Sequence, residues 1–282
     1  MPFLFIDAQH GLGNRLRAMA SAAAIARVTG RDLVVIWRPD HHCDCELSDV
    51  INYPGPVIND TSADLARRGA SQVYNYMEVE DGAVFEEPIL PEKTDGDVYI
   101  RSAYTLVSPH LRHANEQTFL MSLRPSSAVR TLLSQVPHSF EVAVHIRMGT
   151  GEAYDHLSYE APDNWPAYRH AELLKWRSRS HVSRFVQRVD ALVEEGRCER
   201  LFLAADLPEI YEAFQDRYGD RVATLPRNDY DRSARQIVHG FADMLLLAMG
   251  DLFLASSYSS FSDLAQRFAP PGRLRERSGV EF

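Results

Sequence analysis

Short apolar runs and longer helical repeats alternate along most of this chain. Near its start, an apolar run at residues 3–7 leads into the glycine loop QHGLGN and then an alanine-rich helical pattern over residues 15–28. A second apolar run, LVVIW, follows at residues 33–37. Because two parallel strands need a crossover of this kind, the pattern predicts a strand–helix–strand unit with glycines in its first loop.

The same alternation is more regular after residue 137. The predicted strands there are 142–147, 201–205, 222–225 and 252–255, and the predicted helices are 173–195, 209–218, 233–249 and one from residue 261. Strands such as VAVHI and LFLAA are apolar throughout, as a parallel sheet covered by helices on both faces requires. Residues 38–137 are less patterned, with one predicted strand at 98–101. We therefore predict an α/β fold of two Rossmann-like domains, 1–137 and 138–282, facing one another across a cleft.

Composition narrows the classes of protein to consider. The 282 residues, 45% of them hydrophobic, can bury a sizeable core, and the net charge of −9 disfavours a nucleic-acid partner. The N-terminal MPFLFIDAQ lacks the features of a signal peptide, and no apolar stretch reaches the roughly 18 residues that span a bilayer. We expect a cytoplasmic protein without an integral membrane segment. The three cysteines, Cys43, Cys45 and Cys198, are expected to form no disulfide.

Parallel sheets bind ligands beyond the carboxyl ends of their strands, where helix N-termini converge. This rule selects His145, Arg147, Asp206, Arg227 and the serine run 256–262 in the second half, and Gly11, Gly13 and Asn14 in the first. An arginine at such a place suits a diphosphate, because its planar fork donates two charge-assisted hydrogen bonds. Each position also has a structural alternative: a tight turn or cap at the glycine loop, an ion pair at His145 and Arg147, and helix caps at Asp206 and the serines.

Two other kinds of site are disfavoured. The glycine loop departs from a dinucleotide fingerprint, because Leu16 replaces its third glycine and no acidic residue ends the second strand at Trp37. A nicotinamide or flavin oxidoreductase is therefore disfavoured. The segment HHCDC at residues 41–45 lacks the paired C-x-x-C spacing of strong zinc sites. No metal site is predicted.

Four segments in register carry a resemblance to a known family. They are GLGNRLRA with VVIWRPDHHCDC, then VHIRMGTGE, LFLAADLPE and DMLLLAMGDLFLASSYSSFSDLA. Together they resemble the fucosyltransferase superfamily that contains α1,6-fucosyltransferases, nodulation fucosyltransferases and protein O-fucosyltransferases. The resemblance covers most of the chain, although residues 53–138 carry little of it. It implies a GT-B-like fold whose second domain binds a GDP-sugar and whose first domain faces the acceptor.

The resemblance also implies roles for individual residues. At the β-phosphate, Gly11 and Asn14 would be contacts, and Arg147 would neutralise the phosphate as it leaves. At the nucleoside, His145 would lie against guanine, Asp206 would lie nearby, and Asp243 would accept from the guanine N1 and N2 donors. A phosphate-binding turn would be formed by Ser259, Ser260 and Phe261. Glu152, in a G-x-G-E stretch like that of the nodulation enzymes, is the preferred candidate for the general base; Asp155, Glu160 and Asp163 of the same polar loop are the alternatives. Met148 stands where some relatives carry a second basic residue, which leaves the acceptor linkage open.

The expected function is therefore an inverting, metal-independent transfer of a sugar, fucose, from GDP-fucose to a hydroxyl of a glycan or oligosaccharide, with no cofactor besides the donor. Two alternatives stay open at this point. The donor could be a different GDP-sugar, since the guanine and phosphate residues would be the same. The chain could also bind a nucleotide sugar without catalysing transfer, although Arg147 argues against this.

Overall fold

The computed structural model describes residues 1–78, 80–92, 94–136, 139–149 and 166–282. Within these residues the chain divides into two compact units, Met1–Ser126 and Ser127–Phe282. Each unit is built on a five-stranded sheet in which every neighbouring pair of strands is parallel. The predicted α/β class with two Rossmann-like domains is confirmed.

The first unit has the strand order β3-β2-β1-β5-β4. Its strands are β1 (Phe3–Ala8), β2 (Asp32–Ile36), β3 (Val57–Ile58), β4 (Gln72–Asn75) and β5 (Val98–Ser102), and its helices are α1 (Leu12–Thr29), α2 (Leu47–Val50), α3 (Asp60–Gly69) and α4 (His113–Ser122). The strands predicted at 3–7, 33–37 and 98–101 and the helix at 15–28 are confirmed with small shifts at their ends. Short strands β3 and β4 at the two edges were not predicted, because turn residues interrupt the pattern there.

Helix α1 is buried around most of its circumference because it packs against both strand β1 and helix α4. Its alanines permit this close two-sided packing, and Gly30 ends it in the left-handed conformation with φ of 66°. The side chain of Arg15 is fully buried in its first turns. No helix in the described part of the chain is both long and apolar enough to cross a membrane.

The second unit has the strand order β10-β9-β6-β7-β8. Its strands are β6 (Val142–Ile146), β7 (Leu201–Ala205), β8 (Val222–Ala223), β9 (Leu252–Ala255) and β10 (Leu274–Arg277), and its helices are α5 (Ser127–Leu133), α6 (Ala167–Arg179), α7 (Val182–Glu194), α8 (Pro208–Tyr218), α9 (Ala234–Leu247) and α10 (Ser260–Arg267). This is the order of doubly wound nucleotide-binding sheets, and its direction reverses between β6 and β9. Ligands bind at that reversal in such sheets.

Two elements of the second unit differ from the sequence prediction. The single helix predicted at 173–195 is wrong, because the chain breaks at Ser180 and His181 into α6 and α7. The His181 ring caps α7 by accepting the Ser183 N–H at 3.2 Å. Strand β10 was not predicted, since its exposed, charged sequence LRER resembles a loop and is held in the sheet only by pairing with β9.

The structural division falls between Ser126 and Ser127, earlier in the chain than the predicted boundary after residue 137. The reason is α5, which packs against α9 of the second unit. Its sequence SAVRTLL has no feature that assigns it to either unit. Long-range packing alone places this helix.

Candidate functional site

The carboxyl ends of β6 and β9 are held together by a serine side chain. The Ser256 hydroxyl accepts the backbone N–H of Arg147 at 2.8 Å and donates to the backbone carbonyl of His145 at 2.9 Å. The paired register of these two strands ends at Val144 and Leu254, so Ser256 continues their connection beyond the sheet. His145 and Arg147 are therefore fixed at the point where the strand order reverses.

Asp206, at the carboxyl end of β7, binds Arg147 and the turn that follows it. Its carboxylate accepts from Nη1 of Arg147, from the N–H of Gly149 at 2.8 Å and from the N–H of Met148 at 3.2 Å. Burial alone would raise the pKa of Asp206, but the charge of Arg147 and its hydrogen bond outweigh burial and lower this pKa. Asp206 is thus an ionised anchor for Arg147.

This arrangement bears on both sequence interpretations of Asp206. It does not cap α8, whose N-cap is Leu207 without a side-chain bond. Its two oxygens are occupied by groups of the chain itself, so the structure gives it a local partner where the resemblance implies the nucleoside. The expected contact with the nucleoside stays a prediction.

Gly149 allows the close approach between this turn and Asp206. A Cβ atom at Gly149 would lie 2.9 Å from Oδ2 of Asp206 and 3.0 Å from Cδ2 of Leu207. Both distances are far below ordinary contact, so any side chain would displace the carboxylate from Arg147. The glycine of the motif VHIRMG is therefore explained by packing.

His145 is a buried, neutral side chain in this structure. Its Nδ1 lies 2.6 Å from the hydroxyl of Ser262, and its ring stacks on Phe261 with centroids 4.7 Å apart. Burial lowers the pKa of His145 to about 3. The structure thus brings together His145 and Phe261, two residues predicted separately. The alternative of a structural ion pair is confirmed for Arg147, whose partner is Asp206.

The serine run leads into the N-terminus of α10. The Ser259 hydroxyl accepts the N–H of Ser262 at 3.2 Å, which makes it the N-cap, and Ser260 is the first helical residue. The capping alternative is confirmed for Ser259. It is compatible with anion binding, because a helix N-terminus presents N–H donors and the positive end of its dipole.

Asp243 and Arg227 form a buried ion pair that the sequence did not predict. Nη2 of Arg227 donates to Oδ2 of Asp243 at 2.6 Å, and the two side chains are 7% and 2% exposed. The guanidinium lies 5.1 Å over the ring of Tyr211. Topology had selected Arg227 and the resemblance had selected Asp243, but only the folded chain shows that they are partners.

The glycine loop of the first unit is a helix start without a side-chain cap. Gly11 is the N-cap of α1 in an extended conformation, and the N–H of Asn14 donates to its carbonyl at 2.9 Å. Asn14 lies inside the first turn, so the expectation that it could cap the helix is wrong. His10, just before the loop, has a φ of 63°, and its carbonyl accepts from Nε of Arg15 at 2.7 Å. This hydrogen bond from the buried Arg15 side chain therefore helps to fix the conformation of the loop.

The first unit also contains a buried polar cluster around Asp7 that was not predicted from the sequence. Asp7, fully buried at the end of β1, accepts from Tyr99 Oη at 2.7 Å, Arg101 Nη1 at 3.2 Å, Gln9 Nε2 at 2.6 Å and Arg38 Nη2. Its arginines follow β2 and lie in β5, on either side of β1 in the sheet. An acid at the end of a central strand flanked by basic residues on both neighbours was the signal available in the sequence.

The HHCDC segment forms a turn after β2. Asp40, His41 and His42 each offer a potential metal-ligand atom, and these atoms lie within 4.8 Å of one another. Oδ1 of Asp40 accepts the N–H groups of His42 and Cys43, at 2.8 and 3.1 Å, and Oδ2 pairs with Arg15 at 2.8 Å. The Sγ atoms of Cys43 and Cys45 are 3.7 Å apart, and all three cysteines of the chain are free and buried, as expected.

One predicted residue falls outside the described part of the chain. Glu152, the candidate base, belongs to residues 150–165, about which the structure gives nothing. Its role stays a prediction.

Comparisons with known proteins identify the fold. Neither protein-family models nor curated protein sequences give a match. Among solved structures, the fucosyltransferase NodZ from Bradyrhizobium matches with a TM-score of 0.62 and 16% identity over 96% of this chain and 94% of that one. NodZ α-1,6-fucosyltransferase soaked with GDP-fucose gives 0.63 and 15% over the same shares. POFUT1 in complex with GDP-fucose gives 0.55 and 14% over 99% of this chain and 97% of that one.

This chain has the fold of these fucosyltransferases. The matches cover 96–99% of this chain, so they include residues of both units. The resemblance inferred from four motifs is thus confirmed for the fold, as is the GT-B-like class. At these identities the fucosyltransferase fold does not by itself fix donor, acceptor or mechanism.

Proposed function

We propose that this chain is a glycosyltransferase that moves fucose from GDP-fucose to a hydroxyl of a glycan or oligosaccharide, with inversion and without a metal ion. The observation that carries the proposal is Arg147, anchored by Asp206 at the reversal of strand order in the second unit. Among solved proteins of this fold, NodZ was soaked with GDP-fucose and POFUT1 was solved in complex with GDP-fucose. The second unit would bind this donor.

An inverting transfer makes a specific electrostatic demand. The acceptor oxygen attacks the anomeric carbon, the bond from that carbon to the β-phosphate oxygen breaks with its electron pair going to the phosphate, and the acceptor proton passes to a base. Negative charge therefore grows on the β-phosphate, and preorganised donors aimed there lower the barrier. Arg147 would be one such donor, because its pair with Asp206 holds the guanidinium at the carboxyl end of β6.

Further N–H donors would come from backbone groups. The N-terminus of α10, with Ser259, Ser260 and Phe261, lies after β9, the strand beside β6 in the sheet. We propose that its amides bind the diphosphate, as helix N-termini commonly do. Gly11 and Asn14 of the first unit are proposed to contact the β-phosphate. In this scheme arginine and amides neutralise the leaving group, which is why no metal is needed.

The remaining proposed roles concern the nucleoside and the acceptor proton. Asp243 is proposed to accept from the guanine N1 and N2 donors, with His145 and Asp206 near the nucleoside. Glu152 is proposed to take the acceptor proton. A cytoplasmic location is also retained as a prediction.

A donor panel tests the function. GDP should raise the melting temperature of the protein, whereas UDP and ADP should not; binding at one hundred times Kd stabilises by about 2.7 kcal/mol. Release of GDP from GDP-fucose and from GDP-mannose is then followed with a panel of oligosaccharides. Equal shifts with UDP would refute guanine recognition. Turnover with GDP-mannose alone would assign a different GDP-sugar, and GDP binding without turnover on any acceptor would make this a binding protein.

A further inference from the structure

Arg227 and Asp243 form an ion pair in the interior of the second unit. Asp243 lies on α9 and Arg227 in the segment between β8 and α9, and their side chains are 2% and 7% exposed. The pair is joined by one hydrogen bond of 2.6 Å. Burying two charges is costly unless hydrogen bonds satisfy their remaining atoms.

Here the remaining atoms are not all satisfied. Oδ1 of Asp243 and Nε of Arg227 have no hydrogen-bond partner among the residues that the structure describes. A buried carboxylate oxygen in a folded protein usually accepts from a donor of the protein, a water or a ligand. The N–H groups on the N1 and N2 edge of guanine are donors that suit Oδ1 of Asp243.

Arg227 is itself held from a second side. Its guanidinium lies 5.1 Å over the ring of Tyr211, whose hydroxyl accepts the N–H of Ala205 at 2.7 Å and donates to the carbonyl of Ala205 at 2.9 Å. Ala205 is the last residue of β7. The orientation of Arg227 is thus tied to the sheet through Tyr211.

We propose that Arg227 is a positioning residue for nucleotide recognition: it binds Oδ2 of Asp243 and leaves Oδ1 to accept from the guanine base. This inference rests on the proposed function, because it deepens the guanine contact of Asp243. It adds a residue to which the resemblance assigns no role.

The charge around Asp243 supports this division of labour. Burial raises the pKa of Asp243 above its ordinary value, and Arg227 reduces that rise without cancelling it, through its charge and its hydrogen bond. The other titratable groups nearby are Tyr211, Tyr230 and His239. Burial raises the pKa of both tyrosines and lowers that of His239, so all three are neutral near pH 7. Arg227 is the described cation that compensates Asp243.

Replacing Arg227 with glutamine tests the inference without removing the hydrogen-bond donor. Arg227→Gln keeps an N–H for Oδ2 but loses the charge, so the pKa of Asp243 should rise further, because burial is then less opposed. GDP affinity relative to wild type should then fall about tenfold at pH 6.5 and recover toward pH 8.5. Titration calorimetry with GDP and with inosine diphosphate, which lacks the 2-amino group, gives both affinities. The preference for GDP over inosine diphosphate should also fall.

Two further variants give the comparison. Arg227→Lys restores the charge without the planar fork. Its GDP affinity relative to wild type should therefore be the same at pH 6.5 and pH 8.5, while its preference for GDP over inosine diphosphate stays reduced. Arg188→Met is the matched control. Arg188 of α7 forms an ion pair with Glu276 of the edge strand β10, with N–O distances of 2.6 and 2.8 Å. Loss of this pair should leave both the GDP affinity and the preference over inosine diphosphate at wild-type values.

The outcomes separate the inference from the proposed function. If wild type does not prefer GDP to UDP, the proposed function itself fails. Suppose that wild type prefers GDP, but Arg227→Gln keeps the full preference for GDP over inosine diphosphate, and its GDP affinity relative to wild type does not change with pH. In that case only the role of Arg227 is overturned. Should Arg227→Gln not fold, Arg227→Lys decides, since an unchanged preference for GDP there contradicts positioning by the fork.

Discussion

Arg147 and Asp206 are joined through one nitrogen of the guanidinium, and the same carboxylate also accepts the N–H groups of Met148 and Gly149. Asp206 thereby fixes both the side chain of Arg147 and the backbone turn after it. A charge that grows on a leaving phosphate is stabilised best by donors that are already oriented. The proposed rate effect of Arg147 should therefore depend on Asp206.

Substitutions in this pair should lower kcat more than donor affinity. Arg147→Lys keeps the charge but loses the fork, and we expect kcat to fall by about 10²-fold or more with a much smaller change in GDP affinity. Asp206→Asn should lower kcat by about tenfold through loss of orientation. Steady-state transfer assays with GDP titrations measure both. A near-normal kcat in Arg147→Ala would be incompatible with the mechanism.

Gly149→Ala should resemble Asp206→Asn, because the new Cβ would meet Oδ2 of Asp206 at 2.9 Å. We expect a lower kcat and a loss of stability on the order of 1–3 kcal/mol from the displaced, overpacked carboxylate. Gly69→Ala is the matched control, since a Cβ there meets nothing within 4 Å. Denaturant unfolding and transfer assays compare the two. Equal stability and rate in both variants would contradict the packing argument.

Acid should destabilise the protein through His145. Burial lowers the pKa of this side chain to about 3, below the 6.5 of an unfolded histidine, so its contribution to stability is present above pH 6.5 and is lost as the pH falls. Between pH 6.5 and 4 the loss is about 3 kcal/mol for this residue.

The contribution of His145 is separated from that of His10 by substitution. Burial also lowers the pKa of His10, to about 4, and the pKa of His239, so wild type carries the effects of all three histidines. His145→Gln should flatten the stability profile between pH 6.5 and 4, with the slope from His10 and His239 left in place. Unfolding midpoints measured across this range give the slopes, and an unchanged slope in His145→Gln would show that the imidazole is not the titrating group.

Glu152→Gln tests the proposed base. The variant cannot accept the acceptor proton, so kcat should fall by about 10²-fold or more while GDP affinity stays at the wild-type value. Asp155→Asn, in the same segment, is the comparison and should retain activity. If Glu152→Gln is active and Asp155→Asn is not, the base belongs to Asp155.

Metal independence is tested by chelation. EDTA should leave the transfer rate unchanged, because Arg147 and helix N–H groups are proposed to neutralise the phosphate. The Asp40→Asn and His42→Gln variants check the one described group of close metal-ligand atoms, and neither should make activity depend on added metal. Loss of turnover with EDTA and recovery with magnesium or manganese would overturn the metal-free scheme.

Much of the fold could be predicted because local pattern decides it. The apolar runs of β6, β7 and β9 and the glycine loop before α1 are visible in short windows of sequence, and parallel strands with helical crossovers follow from their order. The break between α6 and α7 could not be predicted, since the helical pattern continues across Ser180 and His181. Strand β10 was missed because its pairing with β9, not its composition, makes it a strand.

The candidate site divides in the same way. The sequence by itself determined that His145, Arg147, Asp206 and the serine run lie at the carboxyl ends of strands, because strand order along the chain dictates those positions. Only the tertiary structure decided the partners: Asp206 with Arg147, 59 residues apart, Ser262 with His145, 117 apart, and Asp243 with Arg227, 16 apart. Such pairings depend on how strands and helices pack, and periodicity in the chain carries no information about distances between side chains from different elements.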